Sequence, residues 1–100
     1  MDLFTFLASK KTPVDLGELI VSLADACRLI AKELREATDS KHVGTVNLSG
    51  EEQIAMDVRA DAIVGEHMRA CQYVAALGGE EMAEVEVVNQ DGRYSVFCDP

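Results

Sequence analysis

From Leu16 to Leu34 apolar side chains recur at three- and four-residue steps, as Leu16, Leu19, Ile20, Leu23, Cys27, Ile30 and Leu34. Asp25, Arg28, Lys32, Glu33, Arg35 and Glu36 fill the other side, which is the period of an amphipathic helix. Its start is marked by Val14-Asp15-Leu16-Gly17-Glu18, which reads as a capping box. Asp15 is the N-cap, Glu18 follows three residues later, and Val14 can staple against Leu19. A helix over residues 15–37 is predicted, with a short helix over residues 3–9 before it. On this wheel Cys27 lies on the buried stripe, where a thiol acts as a small core side chain rather than a nucleophile.

The pattern breaks between Thr38 and Ser49, where Asp39, Ser40, Lys41, His42 and Gly44 read as loop. His42 and His67 each lack a partner and receive no role. Ser49, with Glu52 at the third helical position, caps a further helix running to residue 70. Its wheel supports two readings. Ile54, Val58, Val64, Gly65 and Met68 share a face with Asp57 and Asp61, and two carboxylates buried there would need a metal, a cation or hydrogen-bond donors. Alternatively the core face is built on Met56 and Ile63 and both aspartates stay in water. From the helix alone, the second reading is favoured.

Residues 71–77, Cys-Gln-Tyr-Val-Ala-Ala-Leu, form a short apolar run consistent with a buried strand. Gly78-Gly79-Glu80-Glu81 follows and reads as a turn that holds adjacent carboxylates. Residues 85–88, the turn Asn89-Gln90-Asp91-Gly92 and residues 93–99 read as strand, turn and strand, a hairpin or near-hairpin. The predicted class is α+β, two main helices and then about three short strands. Glu80-Glu81 and Asp99 fall at strand C-terminal ends, where α/β sheets place ligands.

Composition narrows the chemistry. The 100 residues are 48% apolar with two prolines, enough for one small domain and unlike a disordered tail. A net charge of −9 argues against phosphate-backbone and anionic-membrane binding, so no nucleic-acid or membrane partner is expected. An acidic chain acting on a phosphorylated substrate would need metal cations as intermediaries. Cys27, Cys71 and Cys98 are odd in number and widely spaced, which points to reduced thiols rather than a disulfide framework or zinc site. No apolar run has the length of a membrane span, and the N-terminal charge order is the reverse of a signal peptide's. A cytoplasmic location is expected, with an organelle such as the plastid still open.

Asp57 in GEEQIAMDVRAD, Glu80-Glu81 in ALGGEEMAEV and Asp99 in GRYSVFCDP occur in an order and context that resemble the N-terminal part of the class I sugar-bisphosphatases. This is the fructose-1,6-bisphosphatase and sedoheptulose-1,7-bisphosphatase family. The resemblance runs from near the start of the long helix to Pro100 and is strongest from Gly50 onward. It implies a layered α/β sandwich in the parent fold, a sugar-bisphosphate substrate, Mg2+ or Mn2+, and a homo-oligomer, dimer or tetramer. It further implies that Glu80 and Asp99 are metal ligands, and that Asp57 and Glu81 orient and deprotonate the attacking water. Glu51 matches a further acid of metal-dependent catalysis, although helix capping also explains it or its neighbour Glu52. Cations neutralising phosphoryl oxygens, held by closely placed carboxylates, suit hydrolysis of a phosphate monoester.

The segment GEEQIAMDVRAD resembles the sedoheptulose branch more closely than the fructose branch. Animal fructose enzymes bind AMP, and Gly17-Glu18-Leu19 and Arg93-Tyr94 resemble parts of that site. Leu16 and Ile20 stand where phosphate-binding hydroxyls are expected, so AMP inhibition is not expected. Arg93 and Tyr94 are expected instead as a rim arginine and an inward or edge tyrosine. The loop lacks the cysteine pair of thioredoxin-sensitive plastid members. The family continues past Asp99-Pro100 with Leu-Asp-Gly-Ser, so the expectation is an N-terminal portion, residues 1–100, truncated inside Asp-Pro-Leu-Asp-Gly and inactive by itself. Two other readings stay open: a non-catalytic remnant or interaction module, and another lithium-sensitive phosphatase such as an inositol phosphatase.

Overall fold

The computed structural model describes residues 1–39, 50–80 and 82–99. The elements are α1 (Leu3–Ser9), α2 (Val14–Asp39), α3 (Gly50–Ala70), β1 (Val74–Gly79), β2 (Glu86–Val87) and β3 (Tyr94–Cys98). The predicted α+β order of helices followed by strands is what forms. His42, Ser49 and Glu81 lie outside the described residues, as do residues 40–49 of the predicted loop and the Ser49 cap, while Thr38 and Asp39, predicted as loop, continue α2.

Helix α1 starts at Asp2, whose carboxylate accepts from the Thr5 amide at 2.7 Å. It stops where Lys11 takes a left-handed φ of 60° and Thr12 N–H reaches back to the Leu7 carbonyl at 3.2 Å. Helix α2 begins earlier than the capping box suggested. The Pro13 carbonyl accepts from Gly17 N–H at 2.8 Å, so Pro13 fills the cap position and its fixed φ leads into the helix. Asp15 is therefore inside the first turn, and Val14 is exposed rather than stapled to the buried Leu19.

The buried stripe of α2 is turned by about one residue from the expected one. Leu19 and Ala26 are buried, Leu23, Leu29 and Ile30 pack against the core, and Cys27 is exposed. The expectation of a buried Cys27 is thus overturned. Ala26 takes the inward position because a small side chain lets α2 and α3 approach closely. In α3 the buried residues are Ala60, Ile63, Val64, Gly65 and Met68, while Ile54, Val58, Asp57 and Asp61 are exposed. The face that forms mixes the two readings: Ile63 is joined by Val64, Gly65 and Met68 of the other face, Met56 is only half-buried, and both aspartates stay in water. An Arg59 to Glu33 ion pair at 2.9 Å also ties α3 to α2. His67 is not isolated: its Nδ1–H donates to the Ile63 carbonyl at 2.8 Å, and its own carbonyl accepts from Ser22 Oγ at 3.4 Å.

The strand order is β2-β1-β3, with β1 antiparallel to β2 and parallel to β3. The expected hairpin does not form. Its two arms flank β1 instead of pairing with each other, although the turn is made, Gly92 N–H bonding the Asn89 carbonyl at 3.1 Å. Asn89 holds it in place by donating from Nδ2 to the Cys71 and Val74 carbonyls, both at 3.1 Å. Apolar β1 offers two bonding edges, and occupying both satisfies more backbone groups than an isolated hairpin would. Gly78 and Gly79, expected as a turn, extend β1 to its pairing with Phe97 and Cys98. Val74, Leu77 and Val96 face α3 and join Leu19, Ile63, Val64 and Met68 in one core.

Candidate active site

Only residues 71–73 separate α3 from β1, so the strand runs back along the helix. Six strand residues at about 3.3 Å cover the axial distance of roughly 13 helical residues at 1.5 Å. The C-terminal end of β1 therefore lies about level with Asp57. Because β1 and β3 are parallel and Gly79 pairs with Cys98, Glu80 and Asp99 each leave the sheet one residue beyond the same rung. Neighbouring strands are about 4.8 Å apart, which fixes the two backbones side by side.

Glu80 and Asp99 line a cavity of about 360 Å³ whose α3 wall includes Val58, Asp61, Gly65 and Arg69. Both carboxylates and Asp61 are exposed, open to water rather than desolvated. Of the residues singled out from sequence, the structure thus brings Glu80 and Asp99 together. Asp57 is exposed on α3 one turn before Asp61 and is not part of the cavity wall. Glu51 is exposed in the first turn of α3, ten residues or about 15 Å of helix from Asp61. Glu81 lies outside the described residues. Asp61 shares a face with Asp57 in the sequence pattern, but no motif assigns it a role. The signal was its four-residue spacing from Asp57, which stacks the two on adjacent turns.

Cys98 also lines the cavity. Burial pushes its thiol above the usual range, and Cys27 and Asp61 add to the shift, so it stays protonated at neutral pH and is a poor nucleophile. Carboxylate oxygens are the donors that Mg2+ and Mn2+ prefer. Among the described residues, however, no three His, Cys, Asp or Glu side chains are grouped closely enough to enclose a metal. The carboxylate donors of Glu80 and Asp99 are of the chemical type a hard divalent cation takes.

Away from this cavity, Arg93 Nη1 and the Tyr94 hydroxyl both donate to the Asp15 carboxylate at 3.1 Å, joining the first turn of α2 to β3. Leu16 N–H donates to the same carboxylate at 2.8 Å. Burial acts on Asp15 as the largest single influence and would raise its pKa, but the bonds from Leu16, Tyr94 and Arg93 together hold it below the ordinary 3.8. The expected rim arginine and edge tyrosine are thereby accounted for by a carboxylate of the chain itself. No helix among the described residues is long and apolar enough to cross a membrane.

Residues 5–100 match the family model described as fructose-1-6-bisphosphatase, N-terminal domain. The class 1 fructose-1,6-bisphosphatase of Pelobacter propionicus is 34% identical over 102 aligned residues, covering 100% of this chain and 31% of the relative. That of Geotalea uraniireducens is 36% identical, covering 100% of this chain and 32% of the relative. That of Methanocorpusculum labreanum is 30% identical over 97 residues, covering 95% and 29%. The chain spans about a third of the length of these relatives. With helices, sheet and acidic strand ends in the expected order and nearly the whole chain matched by the family description, the chain belongs to the fructose-1,6-bisphosphatase family.

Proposed function

We propose that this chain carries the first part of a metal-dependent sugar-bisphosphatase site. The observation that carries the reading is the exit of Glu80 and Asp99 from adjacent parallel strands into one cavity. In this reading Glu80 and Asp99 hold Mg2+ or Mn2+. When bound, the cation neutralises phosphoryl oxygens and lowers the pKa of water. Asp57 and Glu81 orient a water molecule and take its proton, and Glu51 assists. The water oxygen bonds to phosphorus as the bond from phosphorus to the sugar C1 oxygen breaks, and that oxygen takes a proton from solvent and leaves as a hydroxyl. Hydrolysis at the 1-phosphate is common to both candidate substrates. Residues 50–61 favour sedoheptulose 1,7-bisphosphate, whereas the names of the relatives favour fructose 1,6-bisphosphate.

The proposal includes a homo-oligomeric whole enzyme in the cytoplasm, with the remaining ligands and phosphate-binding groups supplied by further parts of the fold. It also holds that residues 1–100 by themselves release no phosphate, since positioning is lost along with the missing ligands. A second reading, a non-catalytic interaction module, is favoured by the uncovered outer face of the sheet. The two are separated by titrating paramagnetic Mn2+ into 15N-labelled chain. Broadening confined to the amides around Gly79, Glu80, Cys98 and Asp99, and abolished by Glu80→Gln or Asp99→Asn, is expected. Broadening elsewhere or none would sink the metal-site reading, and Mg2+-dependent phosphate release by the chain would refute its inactivity.

A further inference from the structure

Asp61, Gly65 and Arg69 stand at four-residue steps and form one stripe of α3 along the cavity wall. Arg69 is the one basic residue in that wall among the described residues. Its Nε and Nη2 donate to the two carboxylate oxygens of Glu86 on β2, at 2.7 and 3.0 Å. Glu86 pairs with Leu77 of β1 on the helix-facing side of the sheet, so a sheet residue fixes the plane of the guanidinium. Neither bond uses Nη1. That nitrogen lies against Gly65, where an added Cβ would stand 2.8 Å from it.

The glycine is informative because a glycine in a helix interior is unfavourable and this one is needed for no turn or positive φ. What its missing side chain provides is a seat for the guanidinium. A bridge as exposed as Arg69–Glu86, with 49% and 37% of the side chains accessible, contributes little to folding, so stability does not explain the arrangement. Two nitrogens clamped by Glu86, and a third held against Gly65 in the same cavity wall, make a guanidinium pre-oriented for an oxyanion.

We propose that Arg69, clamped by Glu86 and seated on Gly65, is an anion-positioning residue of this cavity that receives a phosphoryl oxygen of the substrate. The inference rests on the phosphatase reading for the identity of the anion. It differs from the carboxylate roles in being a direct contact that requires no metal. An anionic substrate entering between Asp61, Glu80 and Asp99 needs such a group, since those carboxylates repel it.

The test uses inorganic phosphate as the probe, titrated into 15N-labelled chain with and without Mg2+, reading the Arg69 Nε–H and Gly65 amide resonances. A saturable shift of both is expected. Arg69→Met should raise the midpoint about tenfold, Arg69→Lys less, and Glu86→Gln should raise it as well, because the guanidinium loses the clamp that orients it. Should Arg69→Met fail to fold, Gly65→Ala decides: it displaces only the flexible end of Arg69 and should also raise the midpoint. Phosphate shifts that leave Arg69 and Gly65 unmoved, or midpoints unchanged within twofold in Arg69→Met and Gly65→Ala, overturn the proposal. Failure of the Mg2+ reading at Glu80 and Asp99 would count against the metal site only, because the metal-free arm still judges Arg69.

Discussion

Gly92 and Gly78 show how neighbours decide what a residue can become. A Cβ on Gly92 would meet the Ala75 nitrogen at 2.5 Å and the Val74 carbonyl carbon at 2.6 Å, both backbone of the central strand. A Cβ on Gly78 would meet the Phe97 ring at 2.6 Å, but that ring is 68% exposed and can swing into solvent. Gly92→Ala should therefore cost about 2–3 kcal/mol or more and Gly78→Ala under about 1 kcal/mol, read from urea midpoints. At the same scale, the Asp15 clasp makes stability depend on pH. Asp15 and Glu86 are held below their ordinary 3.8 and 4.5, Glu86 by the Arg69 bonds. Their contribution is present above those values and lost as pH falls through the lowered ones. Tyr94 is raised above 10.0 by burial and by Asp15, so its contribution is lost as pH rises through the raised value. Asp15→Asn should flatten the acid limb of midpoint against pH without abolishing it, because Glu86 remains. Tyr94→Phe should flatten the alkaline limb.

Among the elements, α3 separates what periodicity shows from what it cannot. Its length and class follow from the spacing of apolar residues, but Ile54 and Ile63 are chemically alike and both belong to apolar stripes. The structure leaves Ile54 66% exposed and Ile63 fully buried. Ile63→Ala should cost about 2–5 kcal/mol, through lost burial and the cavity left behind. Ile54→Ala should stay within about 0.5 kcal/mol, and equal losses in thermal or urea unfolding would refute the burial of the Ile63 face of α3. Strand pairing was illegible for a related reason. The Asp-Gly turn correctly marked a reversal between β2 and β3, yet a local turn signal cannot show that a third strand inserts between the arms.

The whole molecule is thin and surface-rich. Its radius of gyration is 15.7 Å, against about 13 Å for a compact domain of this length, and its extents are 44 × 38 × 16 Å. The accessible surface of 6882 Å² exceeds the roughly 5,600 Å² expected for its mass. Helices cover one face of the sheet, while the other shows Phe97 at 68% and Val87 at 69% exposure, with Val85 beside them. An apolar face that no described residue covers, on a sheet whose outer strands pair with no other described strand, drives association. The purified chain should self-associate in sedimentation velocity at micromolar concentration, and Val87→Thr with Phe97→Ser should shift it toward monomer. A monodisperse wild-type monomer would contradict this.

Sequence by itself determined the classes and order of the elements, the run of acidic residues and the family they resemble, because these are local in the chain: periods, caps, turns and short motifs. Tertiary structure decided which face of α3 is buried, that Cys27 points outward and that β1 lies between β2 and β3. It also decided that Glu80 and Asp99 share a cavity with Asp61 and Arg69, and that Asp15 receives Arg93 and Tyr94. Each of these depends on residues far apart in sequence competing for the same packing surface or hydrogen-bond partner, and only the assembled chain settles that competition.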